Sequence, residues 1–247
     1  MKLNILIPMA GRGFRFLKEG YKKPKPLIDV HGTPMIEKCI ASLGLEGQYI
    51  FIVRKYENEL HNEELRSVLT KMVVNPIIIE INEVTEGAAC TCLLAREHIN
   101  NNAPLISVNC DQILEWDSEN FLQFLEEKAP DGAVVTYDSN SNKNSYIELD
   151  ENGNGIRLAE KDPISEHSLT GIHYWKEGKH FVNSANSMIK KNERVNNEFY
   201  VAPTYNEMIS QGMIVVNYRI ENHDFHPVGT PEDLNIYLRK KATNENL

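Results

Sequence analysis

Strand-length apolar runs at 3–9, 48–53, 77–81 and 104–109 alternate with helix-period segments at 34–43, 57–72, 88–99 and 118–127. That alternation leaves few folding solutions. Each apolar run has to be buried on both faces, and each helical segment has to carry the chain back across the sheet, which makes successive strands parallel through βαβ crossovers. The fold class is therefore α/β, a Rossmann-like mixed, mostly parallel sheet flanked by helices. In the segment 34–43, Thr33 is the expected N-cap, Ile36, Ile40 and Leu43 share one face, and Gly44 stands past the end. After Ala133 the pattern changes. Ser145-Tyr-Ile-Glu-Leu, the turn Glu151-Asn-Gly-Asn-Gly and Ile156-Arg-Leu-Ala-Glu read as an antiparallel hairpin. At 247 residues and 41% hydrophobic composition, one domain spanning 1–247 can bury a full core.

The first apolar run empties into Met9-Ala-Gly-Arg-Gly-Phe-Arg-Phe. Gly11 and Gly13 leave main chain bare for a ligand. Arg12, Arg15, Lys18, Lys22, Lys23 and Lys25 crowd one short loop of a chain whose net charge is -9. Basic charge concentrated against the global sign marks a focused anion site, and backbone N–H groups after a strand suit a phosphate chain. A nucleotide is the expected ligand. A dinucleotide fingerprint would need a third glycine where Phe16 stands, and no Gly-Lys-Ser/Thr follows for a P-loop.

Met9-Ala-Gly-Arg-Gly-Phe-Arg-Phe followed by Lys23-Pro-Lys-Pro-Leu-Ile-Asp-Val-His-Gly-Thr-Pro-Met-Ile resembles the signature of the sugar-phosphate nucleotidyltransferases, also called nucleoside diphosphate sugar pyrophosphorylases. The resemblance runs along most of the chain. It implies that the loop, Met9, Ala10, Gly11, Arg12 and Gly13, wraps a nucleoside triphosphate. It further implies that Arg15 steadies the departing pyrophosphate and that Lys25 lies near the reacting α-phosphate. The family pattern also has a glycine that reads the base, here Gly87 between Glu86 and Ala88, with Glu86 in place of the usual proline. Without the resemblance, a plain helix N-terminus with Thr85 and Glu86 as capping groups is the preferred reading.

Asp111 ends the apolar run Leu105-Ile-Ser-Val-Asn-Cys, on the edge where α/β sheets bind ligands. A hard cation such as Mg²⁺ takes oxygen ligands and bridges one or two carboxylates to substrate phosphates. Asp111 is the expected metal ligand and, with Arg15 and Lys25, one of the catalytic residues. A turn-capping role is its structural alternative. The family has glycine where Cys110 stands, and a second metal aspartate where Asp224-Phe-His-Pro-Val-Gly-Thr places Pro227. Asp224, His226 or Glu198 would have to compensate, or Asp111 would act with phosphate and water alone. His223-x-x-His226 is too sparse a ligand set for zinc.

On the acceptor side, Ala159-Glu-Lys-Asp-Pro and Ser168-Leu-Thr-Gly-Ile-His-Tyr-Trp resemble the family's Glu-Lys pair and later glycine-bearing strand. Glu160, Lys161 and Gly171 are thus implied to hold the phosphorylated acceptor, with Tyr146 and His226 as further contacts. A surface ion pair is the plainer reading of Glu160 and Lys161. Residues 1–130 are then a nucleotide-binding half, 131–242 an acceptor-binding half, and 243–247 a frayed tail.

The expected activity is transfer of a nucleoside monophosphate to a sugar 1-phosphate or similar small phosphate with pyrophosphate release, making a precursor for surface polysaccharide. A cytidylyltransferase for a phosphocholine-like or phospho-amino-acid acceptor is the alternative within the class. A glycosyltransferase would normally carry Asp-x-Asp, which Asp111-Gln-Ile lacks; a nucleotide sensor is the non-catalytic alternative. The acidic balance argues against nucleic acid. The first apolar run is too short for a signal peptide and no run reaches membrane length. Cys39, Cys90, Cys92 and Cys110 sit in apolar segments without Cys-x-x-Cys spacing, so buried free thiols and a reducing cytoplasm are expected. Oligomeric state, base and acceptor stay open.

Overall fold

The computed structural model describes residues 2–244. The strand β1 (Asn4–Met9) leads through α1 (Phe14–Lys18) and a small hairpin, β2 (Asp29–Val30) with β3 (Thr33–Pro34), into α2 (Met35–Leu43). Then come β4 (Gln48–Arg54), α3 (Glu59–Met72), β5 (Ile77–Ile81), α4 (Ala88–Leu93) and α5 (Arg96–Ile99). The strands β6 (Leu105–Val108) and β7 (Gln112–Leu114) precede α6 (Ser118–Lys128). The second half lays down β8 (Gly132–Asp138), β9 (Ser145–Leu149), β10 (Gly155–Glu160) and β11 (His167–Trp175). It closes with α7 (Gly178–Lys191), α8 (Thr204–Ser210), β12 (Val215–Arg219), β13 (Phe225–Pro227) and α9 (Pro231–Asn244).

Among the described residues the main sheet runs β10-β9-β11-β6-β1-β4-β5, with β8 and β12 added beside β11. Its first-half strands are parallel: Leu6 pairs with Ile50 of β4 and with Ser107 of β6, and β5 extends the set. The strand β11 returns antiparallel against both β6 and β8, and β12 runs parallel to β8. Because β1 sits between β4 and β6, its crossovers leave in opposite directions and open a crevice beyond the carboxyl ends of β1 and β6, the place where such sheets bind ligands. The glycine loop follows β1, and Asp111 follows β6.

Both faces of β1 are dry, as its unbroken apolar run requires. Ile5, Ile7 and Met9 join a core with Ile36, Ile40, Phe51, Leu65 and Phe121, under α2, α3 and α6. Leu6 faces the other way into a core with Ile50, Cys92, Leu105, Trp175 and Tyr205, under α4, α5, α7 and α8.

Three local expectations need correction. Thr33 does not cap α2: it pairs with Val30 in the β2–β3 hairpin, and Pro34 takes the cap position without a side-chain bond. The helix expected over 88–99 is two short helices, because the chain tightens at Leu94 and Ala95. The tail expected to fray from 243 is helical through Asn244, and 245–247 lie outside the described residues. The hairpin at 145–160 and the Gly44 helix stop form as read, Gly44 adopting φ 62°.

Candidate active site

The loop after β1 is shaped at Gly13, whose φ of 61° admits glycine readily and which precedes α1. A Cβ there would press on Lys25 Cβ at 3.0 Å, so the glycine also lets the two halves of the basic loop touch. Gly11 has no such φ, and its open face meets nothing within 4 Å. It contributes bare main chain. Lys25 stands between Pro24 and Pro26 at the head of a short 3-10 turn, with Leu27 buried behind it. Two fixed φ angles and a buried anchor hold the lysine's backbone stiffly.

The Lys25 ammonium forms an ion pair with the Asp111 carboxylate. Burial works to lower the lysine's pKa, but the adjacent Asp111 outweighs it and the net shift is upward, so Lys25 is a fixed cation. Asp111 is set by β6 and by the strand that follows β12: its carbonyl accepts the Val228 N–H at 2.9 Å, and Gly229 leaves the space its carboxylate fills. Cys110, standing where the resembled pattern has glycine, is buried, and burial pushes its thiol up to about 11. It is a neutral packing residue, as are Cys39 and Cys92, and all four cysteines are free.

Two cavities meet at this pair, and another adjoins them at Asn109. A small one of about 220 Å³ is lined by Met9, Gly11, Gly13, Lys25, Asn109 and Asp111. A second, about 510 Å³, takes Ala10, Gly11, Arg12, Gly87, Ala88 and Glu198. A third, about 490 Å³, takes Arg15, Asp111, Gln112, Asn144, Glu160 and Tyr200. Asn109 borders all three, and sequence reasoning missed it. Its signal was available: a polar residue at the end of a buried strand, two positions before Asp111. Tyr200 gave no such signal, because its place depends on a distant contact.

That contact runs through Gly87. With φ 137° and a Cβ position that would overlap the Phe199 backbone, Gly87 lets the segment 198–200 cross directly above it. The Phe199 N–H donates to Glu86 O at 2.8 Å, and the Ala89 N–H to Phe199 O at 3.0 Å. Neither Thr85 nor Glu86 caps α4. The Thr85 hydroxyl donates to Gly87 O, and the Glu86 carboxylate pairs with Arg194 at 2.5 Å, outside the cavities.

Of the five acceptor-side residues, the structure brings Glu160 and Gly171 to the 490 Å³ cavity. Glu160 accepts a hydrogen bond from the Ser145 hydroxyl, and burial raises its pKa. The space above Gly171, at a register shift in β11 with φ 96°, is filled by the amides of Asn109 and Gln112. Gly171 thus seats two side chains. Lys161 reaches the Tyr200 hydroxyl and lies 4.5 Å above that ring, so no Glu160–Lys161 ion pair forms. Tyr146 is fully buried beneath the cavity floor, its hydroxyl donating to Ser141 O at 2.8 Å. His226 is buried 3.0 Å from Glu115, while its strand neighbours Phe225 and Pro227 line the cavity, as two-residue alternation dictates. Lys161, Tyr146 and His226 therefore stand off the 490 Å³ cavity.

The side-chain oxygen donors around the 220 Å³ cavity are Asp111 and Asn109. Pro227 borders the third cavity, Glu198 faces the second, and Asp224 lies 3.4 Å from the exposed His223. Among the described residues, no group of three or more His, Cys, Asp or Glu side chains could hold a metal ion. The donors fit a hard cation that uses one protein carboxylate and completes its shell with phosphate and water, and they do not fit zinc. Among the described residues, no helix is long and apolar enough to cross a membrane.

The family profile described as nucleotidyl transferase matches residues 5–241. The bifunctional protein GlmU of Methanococcus aeolicus is 23% identical over 70% of this chain, which spans 40% of that relative. A 2-aminoethylphosphonate cytidylyltransferase of Lancefieldella rimae is 29% identical over 42% of this chain and 48% of its own. Among solved structures, the nucleoside-diphosphate-sugar pyrophosphorylase of Vibrio cholerae RC9 superposes with a TM-score of 0.80 at 24% identity, over 95% of this chain and 99% of that one. The last similarity concerns the fold. The profile match spans the glycine loop, the strand-tip aspartate and the second half, and on that extent the chain belongs to the nucleotidyl transferase family.

Proposed function

We propose that the protein transfers a nucleoside monophosphate from a nucleoside triphosphate to a small phosphorylated acceptor and releases pyrophosphate. The observation that carries this reading is the Lys25–Asp111 pair at the junction of the cavities. Residues 1–130 supply the nucleotide side and 131–242 most of the acceptor side. The nucleoside occupies the cavity between Arg12 and Gly87, the α-phosphate rests in the small cavity against Lys25, and the acceptor enters beside Arg15 and Glu160.

An acceptor phosphate oxygen bonds to the α-phosphorus as the bond from that phosphorus to the β-bridging oxygen breaks, and the electron pair departs on pyrophosphate. No proton has to move in that step. The chain's task is alignment and stabilisation of charge. Lys25, a fixed cation on a stiff turn, stabilises negative charge on the α-phosphate, and Arg15, implied by the resemblance to steady the departing pyrophosphate, instead lines the 490 Å³ cavity, where it holds the incoming phosphate. Asp111 with Asn109 would hold Mg²⁺, which when bound adds positive charge to the phosphates. Free thiols fit a reducing cytoplasm, and an activated precursor for surface polysaccharide is the use we infer for the product.

The acceptor is a sugar 1-phosphate or a similar small phosphate; the names of the relatives include both a sugar phosphate, in the mannose-1-phosphate guanylyltransferase of Danio rerio, and a non-sugar, 2-aminoethylphosphonate. Incubating the protein with each nucleoside triphosphate, Mg²⁺ and a panel of phosphorylated sugars and amino alcohols tests the reading. Pyrophosphate release that depends on both substrates is expected. Sugar transfer from a nucleotide sugar, or nucleotide binding without turnover with any acceptor, would overturn it.

A further inference from the structure

The 490 Å³ cavity reaches past its loops into the core. Leu169, Val201 and Ala202 line it and belong to the core under α4, α5, α7 and α8. Two further lining residues, Ser107 of β6 and His173 of β11, are register partners on those antiparallel strands and are only 3% and 7% exposed. Opposed residues of an antiparallel pair share a face of the sheet. The charged lining residues, Arg15, Asp111, Lys143, Glu160 and Asp233, are all exposed or half-buried. Charge therefore stands towards the mouth, and the buried lining carries no carboxylate, lysine or arginine. Neither Ser107 nor His173 takes part in the transfer chemistry read above.

His173 is fixed by stacking, not by hydrogen bonds. Its ring lies 6.0 Å from that of Trp175 and 5.9 Å from that of Tyr205, inclined by 20° and 23°. Nδ1 is buried and bonds no described residue; Nε2 likewise bonds none and is the ring nitrogen open to the cavity. The Ser107 hydroxyl has the Cys92 thiol at 3.8 Å, a weak contact. Buried polar groups are paired as a rule, so a stiffly held imidazole edge opposite an underused hydroxyl calls for a ligand group. That group is uncharged. Burial alone acts on the protonation of His173, with no contribution from a charged side chain, and keeps the ring neutral. A neutral imidazole and a hydroxyl complement a further hydroxyl, which both donates and accepts. An ammonium or carboxylate brought here would lose its hydration with no counter-charge.

We propose that His173, with Ser107, selects the acceptor: with its phosphate beside Arg15, the acceptor sets a hydroxyl of its far end against His173 Nε2 and the Ser107 hydroxyl. The inference rests on the nucleotidyl transfer reading and adds two residues that lie outside the glycine-loop, Glu-Lys and strand-tip patterns. His173 is then a specificity-determining contact. Acceptors that present a methyl or an ammonium group at that point leave it unpaired or bury a charge, and they are discriminated against.

The test uses hydroxybutyl, butyl and aminobutyl phosphate, probes that differ only at the end away from phosphate. Each is titrated into the full chain, with and without a saturating non-hydrolysable triphosphate analogue and Mg²⁺, and isotope-labelled histidine reports the His173 ring nitrogens by NMR. Wild type is expected to bind the hydroxybutyl probe about threefold to tenfold more tightly than the butyl probe, the value of one hydrogen bond, and the aminobutyl probe most weakly. The hydroxybutyl probe should move the His173 nitrogen resonances. In His173→Phe, which keeps a ring beside Trp175 and Tyr205, the preference for hydroxyl should vanish while affinity for the analogue stays as in wild type. His173→Gln should restore part of the preference. An unchanged preference in the folded variants, tighter binding of the aminobutyl probe, His173 nitrogens that respond to no probe, or blockage of the hydroxybutyl probe by the analogue would overturn the proposal. If the probe order holds and no pairing of triphosphate and acceptor releases pyrophosphate, the site stands and the transferase reading falls. If pyrophosphate is released and the His173 variants keep the wild-type probe order, the site falls alone.

Discussion

Asp111→Asn keeps the size of the side chain and removes its charge, so it isolates what the Lys25–Asp111 pair contributes. The two side chains are 20% and 25% exposed, which places the pair mostly out of water. Without the carboxylate, Lys25 keeps a charge with no counter-charge at that site, at a cost of about 1–3 kcal/mol for a partly buried group. The sign with pH follows. In wild type the Lys25 pKa is raised in the folded protein, so its stabilising contribution is complete below the unfolded pKa and fades only as pH climbs through the folded value. In Asp111→Asn the largest influence opposing burial is gone and the folded pKa falls, so the variant gains stability as pH rises through the alkaline range. Denaturant titrations from about pH 6 to about pH 10 should show that rise in the variant and no matching rise in wild type. Lys25→Met/Asp111→Asn should recover most of the stability, because neither partner is left charged. Turnover separates the roles: both Asp111→Asn and the double variant should lose about 10²–10⁴-fold in kcat, the range for removing a group that stabilises transition-state charge. Near-normal pyrophosphate release by the folded double variant would refute the reasoning, because the pair would then be a structural ion pair only.

Gly87→Ala would set a Cβ against the Phe199 backbone at φ 137°, so a loss of about 2–4 kcal/mol is expected, read as a lower Tm, together with weaker nucleotide binding. A Tm within about one degree of wild type would show that the crossing segment yields. His173, buried beside Trp175 and Tyr205, has its pKa pushed down to about 3 by burial. The unfolded chain therefore binds a proton that the fold rejects, and stability falls as pH drops from about 6.5 towards 3, by an amount on the order of a few kcal/mol. His173→Gln should flatten that acid limb; an unchanged acid limb would assign the loss to other groups.

What was legible in the sequence was whatever a short window determines. The run 3–9, the Gly44 stop and the 145–160 hairpin are decided by neighbours within a turn or two, and they form as read. Thr33 failed as a cap because two residue pairs of hairpin, Asp29 with Pro34 and Val30 with Thr33, outcompete a local hydroxyl bond. The candidate site divides along the same line. Gly11, Gly13, Lys25 and Asp111 lie on loops leaving adjacent parallel strands, so their meeting follows from the β6-β1-β4 order that βαβ alternation implies. The acceptor side depends on which way a residue faces within a strand and on contacts across long separations. His226 faces inward while Pro227 faces the cavity, a difference of one residue in register that no motif encodes. Lys161 leaves Glu160 for Tyr200, a residue brought near only because Gly87 lets the 198–200 segment cross α4. A glycine read from sequence as a place for a ligand thus also makes room for another piece of chain, since Gly87 lines the 510 Å³ cavity and lets the 198–200 segment cross. The same holds at Gly171, where amides of Asn109 and Gln112 fill the space. Glycine in a site motif marks close approach, and which partner approaches is decided by the tertiary fold.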